Sequence, residues 1–559
     1  MERVDPRVGA ARGMSGNQRA SILIAGGGLG GVSAAIAALS LGATRVVLTE
    51  EFDWLGGQLT SQGVPLDEGP WIESGVGSRS YATLRQGIRE QYRRRFPLTG
   101  AQLRAPVLNP GMGNVGTLCA EPAVAVRVIE EMLGPWQGAG RLTILRRHRP
   151  VAAGAAGDRL QAVTFLDLVT GRERVVEADF VIDATETGEL LPLAGVEHVL
   201  GAEARDDTGE LHAVDGPANP LDQQALTWCL ALSHHPGEDH RIDKPEGYEA
   251  FRDFRPPFWP GPLFGWTVSN HVTHEPLERP LFAGDSDAPT LFDLWHARRI
   301  AWRRGFEDGA YESDITIANW PQMDYWWRPA LGVPEQDRKR ALDECRRCSL
   351  SFLYWMQTEA PRHDGGQGYP GLRPRGDVLG TQDGLAQNVY WREGYRIIPE
   401  QRLLEQHIGV AARPGATAAE AFTDSVAIGA YRIDLHPSTV GNRDTVDIDC
   451  FPFQIPIGTL LPVRVENFLP ACKNLGTTRV TNGAARVHPV EWSIGEASGA
   501  LAAFSMARSV PPRTVRAKPD LLAEFQATLA GLGAPIAWPS YGALTPRTRT
   551  GYRPPSTPR

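Results

Sequence analysis

Cysteine is scarce in this chain, and the few cysteines form no recognisable framework. Six cysteines in 559 residues are too few for the disulfide network of a small secreted protein. Cys345 and Cys348 form a C-x-x-C, but neither a second pair nor a histidine cluster accompanies them, as a zinc site would require. We interpret them as two cysteines on a helix and predict no metal site.

Long apolar runs are also missing. No stretch reaches the roughly 18 apolar residues that a membrane-spanning helix needs. Residues 1–20 contain neither the apolar core of a signal peptide nor a twin arginine. We therefore expect no membrane partner, a cytoplasmic location and a disordered leader at residues 1–19.

Positive charge is in deficit. The net charge of −8 and the sequence pI of about 6.0 disfavour a nucleic-acid or anionic-membrane partner. Ser-His-Asp, zinc-ligand and Walker patterns are absent, which leaves hydrolysis and phosphoryl transfer with little support. The 42% apolar content and the length predict a globular protein of two or three packed subdomains. Neither the apolar content nor the length excludes a homo-oligomer.

What the chain does contain is a complete strand–turn–helix–strand pattern near its start. Residues 22–25 form an apolar run typical of a buried parallel strand, and Gly26, Gly28 and Gly31 follow in G-x-G-x-x-G register. A helix of small residues and a second apolar run then lead to Glu50. In a Rossmann unit the glycines make the turn, admit a pyrophosphate and let helix pack on strand, while the acid bonds the ribose. The pattern predicts dinucleotide binding at the helix N-terminus.

A second G-x-G-x-x-G, at residues 111–116, lacks this context. It follows Leu108-Asn109-Pro110 rather than an apolar strand, so we interpret it as a loop. No other strand–GxGxxG–helix pattern occurs in the sequence. This argues against a dedicated NAD(P)H domain, although not against transient nicotinamide binding.

Three further features favour FAD as the dinucleotide. Gly56 and Gly57 suit a loop where backbone passes close to a flat ligand. Gln58 follows them where flavoprotein disulfide reductases carry a redox cysteine pair, so no dithiol mechanism is expected. An apolar strand leads into a small polar turn at residues 180–189. A helix of small residues follows Trp492. The N-terminus of that helix could stabilise an anionic reduced flavin.

Six motifs stand out along the chain: GGGLGG, LGGQLT, FVIDATETGEL, LYWMQTEAPR, GYPGLRPRGD and KNLGTTRVTNGAARVHPVEWSIGEASGALAAF. Together they resemble a large bacterial family of FAD-dependent oxidoreductases, some of whose members are called xanthan lyases. The resemblance covers approximately residues 20 to 507. It implies bound FAD, a two-domain fold of glutathione-reductase type and a two-electron redox reaction, and it names no substrate.

We predict an α/β fold in which a glutathione-reductase-type FAD-binding Rossmann domain carries a discontinuous α+β substrate domain. The predicted parts are the leader at 1–19, the first part of the FAD-binding domain at 20–200, the substrate domain at 201–450, the C-terminal part of the FAD-binding domain at 451–507, and a C-terminal helix and tail at 508–559. The Pro-, Thr- and Arg-rich stretch from about Pro535 is expected to be a surface arm or disordered.

Local patterns predict several elements within these parts. Helices are expected at 78–98 and 121–133, and short strands at Leu142–Arg147, Leu160–Leu168 and Glu173–Val176. Tryptophans cluster in the predicted substrate domain. We expect some of them to line a pocket, and most to pack in the core or at a subunit interface.

The predicted FAD contacts follow from these motifs. FAD supplies the electron transfer, so the protein has to position a substrate C–H bond and manage one proton. A base near the flavin is therefore the residue to look for. The expected cofactor-binding residues are Gly26, Gly28, Leu29, Gly30, Gly31, Glu50, Glu51, Gly56, Gly57, Gln58, Val151, Ala184, Thr185, Gly188, Asn474, Trp492 and Gly495.

His488 is the first candidate for the base, because imidazole titrates near neutrality. The alternative is a ring that only hydrogen-bonds its own loop. Glu491 either orients His488 or, as we slightly favour, caps the helix, and Arg486 belongs to the same motif. Glu359 and Arg362 form a second polar cluster, in which the arginine either holds a substrate carboxylate or flavin oxygen, or braces the two domains. The weaker candidates on the same reasoning are His436, Asn474 and Asn482.

The favoured function is a flavoenzyme that acts on a small-molecule substrate and oxidises a C–OH or C–N centre by hydride transfer to flavin N5. One alternative is a flavin-dependent reductase or monooxygenase. The other is a non-catalytic interaction protein that retains FAD, with the Pro- and Trp-rich middle as its interface.

Overall fold

The computed structural model describes residues 14–283, 293–440 and 444–538. The strands are β1 Met14–Ala25, β2 Val46–Glu50, β3 Leu142–Arg146, β4 His148–Ala156, β5 Arg159–Asp167, β6 Glu173–Asp183, β7 His198–Val199, β8 Leu230–His234, β9 Thr267–Ser269, β10 Pro276–Glu278, β11 Arg299–Ala301, β12 Ile315–Ala318, β13 Leu372–Pro374, β14 Arg396–Ile397, β15 Ser425–Gly429, β16 Ile433–Leu435, β17 Val446–Ile448, β18 Phe453–Pro456 and β19 Phe468–Pro470. The helices are α1 Leu29–Ser40, α2 Arg79–Arg95, α3 Gly100–Leu103, α4 Pro122–Gly138, α5 Leu190–Leu193, α6 Arg205–Thr208, α7 Tyr248–Arg252, α8 Leu294–Ala297, α9 Glu335–Thr358, α10 Gly376–Leu379, α11 Glu405–Ile408, α12 Arg479–Ala485, α13 His488–Arg508, α14 Pro512–Ala517 and α15 Pro519–Leu532.

The predicted Rossmann unit forms the centre of a seven-stranded sheet. Strands β3, β2, β1 and β6 lie side by side and parallel, and β19 adds a further parallel strand beside the end of β6. Every residue of β2 is buried, as expected for a parallel strand covered on both faces. The α/β fold class with a Rossmann-type domain is confirmed.

Strand β6 connects this parallel sheet to the predicted meander. Its first half pairs antiparallel with β5, which pairs antiparallel with β4, while its second half pairs with β19. The prediction of a separate short strand at Glu173–Val176 is therefore wrong, because the strand continues to Asp183. No glycine or proline interrupts it.

Helices α1 and α13 pack directly against each other on the sheet, and small residues make that contact possible. A Cβ atom added at Gly495 would lie 2.0 Å from the carbonyl oxygen of Gly30, and one at Gly499 would lie 2.1 Å from that of Ala34. Gly30 itself has no room for a side chain, since its Cβ would meet the Ala471 carbonyl oxygen at 1.7 Å. Glycine is thus required where the two helices cross.

Both ends of the folded chain are more ordered than predicted. Residues 14–19 are not a leader, because they belong to β1 and pair in parallel with the first half of β6; residues 1–13 lie outside the described residues. Trp538 stacks edge-on against Trp71 and donates its indole N–H to carbonyl oxygens of Gly429 and Phe453. The stretch from Pro535 is therefore packed on the body as far as Trp538, and residues 539–559 are not described.

The middle of the chain forms a second core around the antiparallel sheet β11-β12-β8-β13 and helix α9. Cys345 and Cys348 both lie on α9 and are buried, as predicted. The tryptophans pack mainly in this core; those that are buried include Trp259, Trp266, Trp320, Trp326, Trp355 and Trp391. Aromatic packing therefore accounts for most of the cluster.

The remaining local predictions agree with the structure in type. Residues 111–116 are a loop, and α2 and α4 fall where helices were expected. Strand β15 and residues near β16 pack in the same core as α1 and α13, so the proposed domain limit at residue 450 remains a prediction. Among the described helices, none has the length and apolar character needed to cross a bilayer.

Candidate active site

A cavity of about 250 Å³ opens where the parallel strands β1, β2 and β6 end. Ligands of open α/β sheets bind at this edge. Several predicted residues line the cavity, namely Gly26, Gly28, Glu50, Glu51, Ala184 and Thr185. Its wall also contains residues that the sequence did not single out, among them Arg149, Glu186, Glu189, Trp228, Arg338 and Trp391.

The predicted glycine turn forms one wall of this cavity. Gly26 has a φ of +101°, and a Cβ atom there would lie 2.1 Å from the Ala184 carbonyl oxygen. Gly57, at the predicted second glycine loop, has a φ of +53°, and the Gly56 N–H donates to the Gly27 carbonyl oxygen at 2.8 Å. The two glycine loops are therefore joined, and together they expose backbone where a pyrophosphate can approach.

Glu50 ends β2 beside this turn, as the sequence predicted. Its carboxylate accepts the Gly27 N–H at 2.9 Å and the Phe52 N–H at 3.0 Å. Burial raises its pKa from 4.5 to about 8, against the lowering effect of these two hydrogen bonds. It lies at the end of the second Rossmann strand, where the sequence pattern predicts a ribose-binding acid.

A buried charge cluster that the sequence did not predict lies next to the two glycine loops. Lys473 donates to Glu186 at 2.6 Å and lies 4.0 Å from Glu491. The side-chain amide of Gln58 donates to Glu491. Burial raises the pKa of Glu491, and Lys473 opposes that shift. Glu491 therefore bonds neither His488 nor, as a cap, the N-terminus of its own helix.

Several polar atoms in this cluster are buried and have no hydrogen-bond partner among the described residues. They are the Oε1 atoms of Gln58, Glu186 and Glu491, and Oδ2 of Asp183. Unsatisfied buried polar groups are costly and usually indicate a missing water or ligand. The position of Glu186 agrees with this, because a Cβ atom at Gly57 would meet its Oε1 at 2.2 Å and one at Gly28 would meet it at 2.8 Å. A carboxylate thus lies in the glycine cradle where a phosphate would bind.

A second, smaller cavity of about 80 Å³ lies on the far side of Gln58. Its lining includes Gln58 of the second glycine loop and His488, the first residue of α13. Its lining is unusually rich in ionisable residues: Asp67, His271, Arg298, Arg392, Arg432, Asp434, His436, Arg486 and His488, with Gln58, Val64, Asn319, Trp320, Pro321, Tyr390, Tyr431 and Val487.

His488 lies in this wall with both ring nitrogens engaged by backbone. Its Nδ1 accepts the Asp67 N–H at 3.2 Å, and its Nε2 lies 3.1 Å from the Val64 carbonyl oxygen. Burial lowers the pKa of His488 from 6.5 to about 4. The geometry favours the alternative that the sequence left open, a neutral ring that holds the 64–67 loop.

His436 has a different environment in the same cavity. Its Nδ1 lies 2.6 Å from Asp324, whereas its Nε2 lies 3.5 Å from Asp434. Arg392 pairs with Asp324 at 2.9 Å and Arg486 with Asp434 at 3.0 Å. Burial would raise the pKa of Asp324, but Arg392 and His436 together hold that pKa below its ordinary value.

Other predicted cofactor residues serve the framework around the cavity. Gly30 and Gly495 lie at the crossing of α1 and α13, and Gly31 lies against the Gly26 carbonyl oxygen. Leu29 is buried at the start of α1. Asn474 donates to the Asp183 carbonyl oxygen at 3.0 Å.

The remaining three predicted cofactor residues do not line the first cavity. Trp492 donates its indole N–H to Ser80 at 2.7 Å. Gly188 has a φ of +68° and lies against the Tyr395 carbonyl oxygen. Val151 follows Arg149 and Pro150 in β4, which line the first cavity although Val151 does not.

Glu359 and Arg362 are not brought to either cavity. Glu359 accepts the hydroxyl of Tyr248 at 2.7 Å and lies 3.7 Å from Arg252. Arg362 pairs with Asp364, two residues along the chain. These contacts lie within the middle of the chain, so the pair neither reaches the site nor links the two parts of the molecule.

Comparison with known proteins agrees with this geometry. Residues 21–529 match the model of a family described as FAD dependent oxidoreductase. No curated protein matches the sequence.

Three solved structures illustrate the structural similarity. A geranylgeranyl bacteriochlorophyll reductase-like protein from Thermoplasma acidophilum is 10% identical over 92% of this chain and 84% of that one, with a TM-score of 0.33. An anhydrotetracycline hydroxylase from Streptomyces rimosus is 11% identical over 91% and 65%, with a TM-score of 0.30. A quinol fumarate reductase from E. coli is 10% identical over 92% and 74%, with a TM-score of 0.30. Nothing about the reaction follows from scores this low.

Proposed function

The chain belongs to the family of FAD-dependent oxidoreductases, and from this we propose that it oxidises a small polar organic substrate at a C–OH or C–N centre. Bound FAD would supply, at its N5 atom, the acceptor for a hydride, that is the nucleus of the carbon-bound hydrogen together with the two bonding electrons. The oxygen- or nitrogen-bound proton of the substrate has to go to a base of the protein, and the C–O or C–N single bond becomes a double bond.

The residues around the first cavity fit FAD. The joined glycine loops offer backbone N–H groups and space for the pyrophosphate, and the N-terminus of α1 adds a favourable dipole. Glu50, at the end of β2, is the ribose ligand that we propose. Lys473 supplies a buried positive charge next to the cradle. The unsatisfied Glu491 oxygen is an acceptor, so it suits a donor group of the cofactor rather than one of its phosphates.

The observation that carries the proposal is the environment of His436. A short contact from Nδ1 to the Asp324 carboxylate fixes the tautomer in which Nδ1 carries the proton. Nε2 is then the nitrogen that can exchange a proton with a substrate, and its 3.5 Å separation from Asp434 leaves it free of a good hydrogen bond there. His436 therefore has the orientation and the carboxylate support of a general base, which His488 lacks.

The test is anaerobic reduction of the bound flavin by a panel of alcohols and amines. We expect bleaching by an organic donor, and His436→Gln should retain FAD but reduce at least about 100-fold more slowly. His488→Gln is the matched control, because a glutamine amide can replace both backbone hydrogen bonds of that ring. Rapid bleaching by NADPH together with none by any organic donor would contradict the proposal, as would an unchanged rate in His436→Gln.

A further inference from the structure

The guanidinium groups that line the small cavity beside Gln58 differ in how closely they are paired with carboxylates. Four guanidinium groups line it, and three of them have a close carboxylate partner: Arg392 with Asp324 at 2.9 Å, Arg486 with Asp434 at 3.0 Å and Arg432 with Asp447 at 2.6 Å. The fourth, Arg298, lies 3.9 Å from Asp67 and donates to the backbone carbonyl of Asn319. Arg298 is therefore the least neutralised cation of this wall.

Three of these guanidinium groups also have an unused donor. The Nε–H groups of Arg298, Arg392 and Arg486 are buried and have no acceptor among residues 14–283, 293–440 and 444–538. A guanidinium donor without an acceptor is expensive to bury, and a carboxylate is the acceptor that matches its geometry. All three donors belong to residues that line the cavity, so its wall favours an anionic ligand group over a neutral one.

Unused acceptors complete the pattern. Oδ1 of Asp434 and Oε1 of Gln58 are buried without a donor in the described part of the chain, and both residues line the same cavity. They suit a hydroxyl or an amine. The volume of about 80 Å³ is enough for a few water-sized groups, so the anionic group and the hydroxyl or amine have to lie close together in the ligand.

Resting on the proposed function, we infer that the substrate is a small carboxylate with its reacting C–OH or C–N group next to the carboxylate, that is a 2-hydroxy or 2-amino acid. Arg298 anchors the carboxylate, with help from the Nε–H groups of Arg392 and Arg486. The hydroxyl or amine faces Asp434 and His436. The anchored acid thereby presents its proton-bearing group to the base assigned above.

The test is a binding titration of the FAD-loaded protein, in which binding is detected as a change in the flavin absorbance. Three acids and their isosteric neutral amides are compared: acetate with acetamide, glycolate with glycolamide and lactate with lactamide. We expect at least one acid to bind about tenfold or more tightly than its amide. Equal binding of every acid and its amide, or no perturbation by any acid, would overturn the inference.

Variants of Arg298 assign the preference to this side chain. Arg298→Met should reduce the acid-to-amide preference to about one, and Arg298→Lys, which keeps the charge but not the fork, should retain part of it. Arg340→Met removes an exposed arginine of α9 that pairs with Glu344, and should leave the preference unchanged. If Arg298→Met kept the acid-to-amide preference, another residue would be responsible for it. The role of Arg298 as the carboxylate anchor would then be overturned.

The same samples distinguish failure of this inference from failure of the proposed function. Flavin bleaching is scored anaerobically with alcohols and amines that lack a carboxylate as well as with the acids. Faster bleaching by neutral donors would overturn the carboxylate assignment and leave the proposed oxidation standing. Bleaching by no organic donor would remove both.

Discussion

Lys473 and Glu186 form a buried ion pair of 2.6 Å beside the glycine cradle, although 286 other residues separate them in the sequence (473 − 186 − 1). The lysine side chain is only 2% exposed. Burial would lower its pKa, but Glu186 and Glu491 raise it well above its ordinary value. The lysine is therefore charged, and two carboxylates compete for it at the position that we propose for the pyrophosphate of FAD.

Glu186 should oppose FAD binding through its negative charge. Because its carboxylate lies against Gly28 and Gly57, it has to move aside or be neutralised when a pyrophosphate enters. We expect Glu186→Gln to tighten FAD binding to the apoprotein several-fold, as measured by quenching of flavin fluorescence. Glu335→Gln, which changes another acid at the rim of the same cavity, is the control. Weaker binding in Glu186→Gln would show that the acid is instead a ligand of FAD.

Two neighbouring glycines should respond differently to alanine. A Cβ atom at Gly30 would collide with the Ala471 carbonyl oxygen at 1.7 Å, whereas at Gly28 it would meet the movable end of Glu186 at 2.8 Å. We expect Gly28→Ala to fold but lose FAD, and Gly30→Ala to destabilise the protein itself. Thermal unfolding and flavin content separate the two effects. Gly134→Ala on α4, where a Cβ has open space, should stabilise by about 0.5–1 kcal/mol.

Glu50 should make the stability of the apoprotein depend on pH. Its pKa is raised from 4.5 to about 8 in the folded state, mainly by burial, so the folded protein binds the proton more tightly than the unfolded chain. The stability that Glu50 contributes is then fully present below pH 4.5 and is lost as the pH rises through 8.

Glu50→Gln, which is neutral throughout, provides the reference for this effect. The free energy of unfolding of the native sequence minus that of the variant should fall with pH across this window, by at most about 1.4 kcal/mol per pH unit. Urea unfolding of the two apoproteins at several pH values measures it. A difference that does not change with pH would contradict the assignment.

His488 should act through the loop that it holds. Its Nδ1 and Nε2 bond the backbone of Asp67 and Val64, and Arg298 lies 3.9 Å from the Asp67 carboxylate. We expect His488→Ala to keep the flavin but slow its reduction by substrate, while His488→Gln restores most of the rate. A rate that Gln does not rescue, with a pH profile that loses a titrating group, would instead assign His488 to proton transfer.

The sequence predicted the parts of the fold whose signals are local. The turn at Gly26, the acid at Glu50 and the second loop at Gly57 each depend on a few consecutive residues, and all three meet in the structure. The extent of β1 was underestimated, because residues 14–19 become a strand only by pairing with β6. A pairing partner so far along the chain leaves no local signal.

The same reason explains what was missed in the site. Arg298, Arg392 and Arg432 come from separate segments and are ordinary arginines in sequence, yet they line one cavity together with the predicted Arg486. Conversely, Glu359 and Arg362 looked like a functional pair and are instead engaged by neighbours in the middle of the chain. Lys473 had one signal that could have identified it, a cation three residues after the apolar strand 468–470 at the nucleotide-binding edge.

The crossing of α1 and α13 has a consequence for when the cofactor can be captured during synthesis. The βαβ unit that begins with β1 is synthesised before the helix that covers α1, before the strand β19 that extends the sheet and before Lys473. A nascent chain that stops before β19 has the glycine turn without its lid or its cation. Loading with FAD therefore has to be a late event, so a stalled or truncated product would be flavin-free however well its first domain had folded.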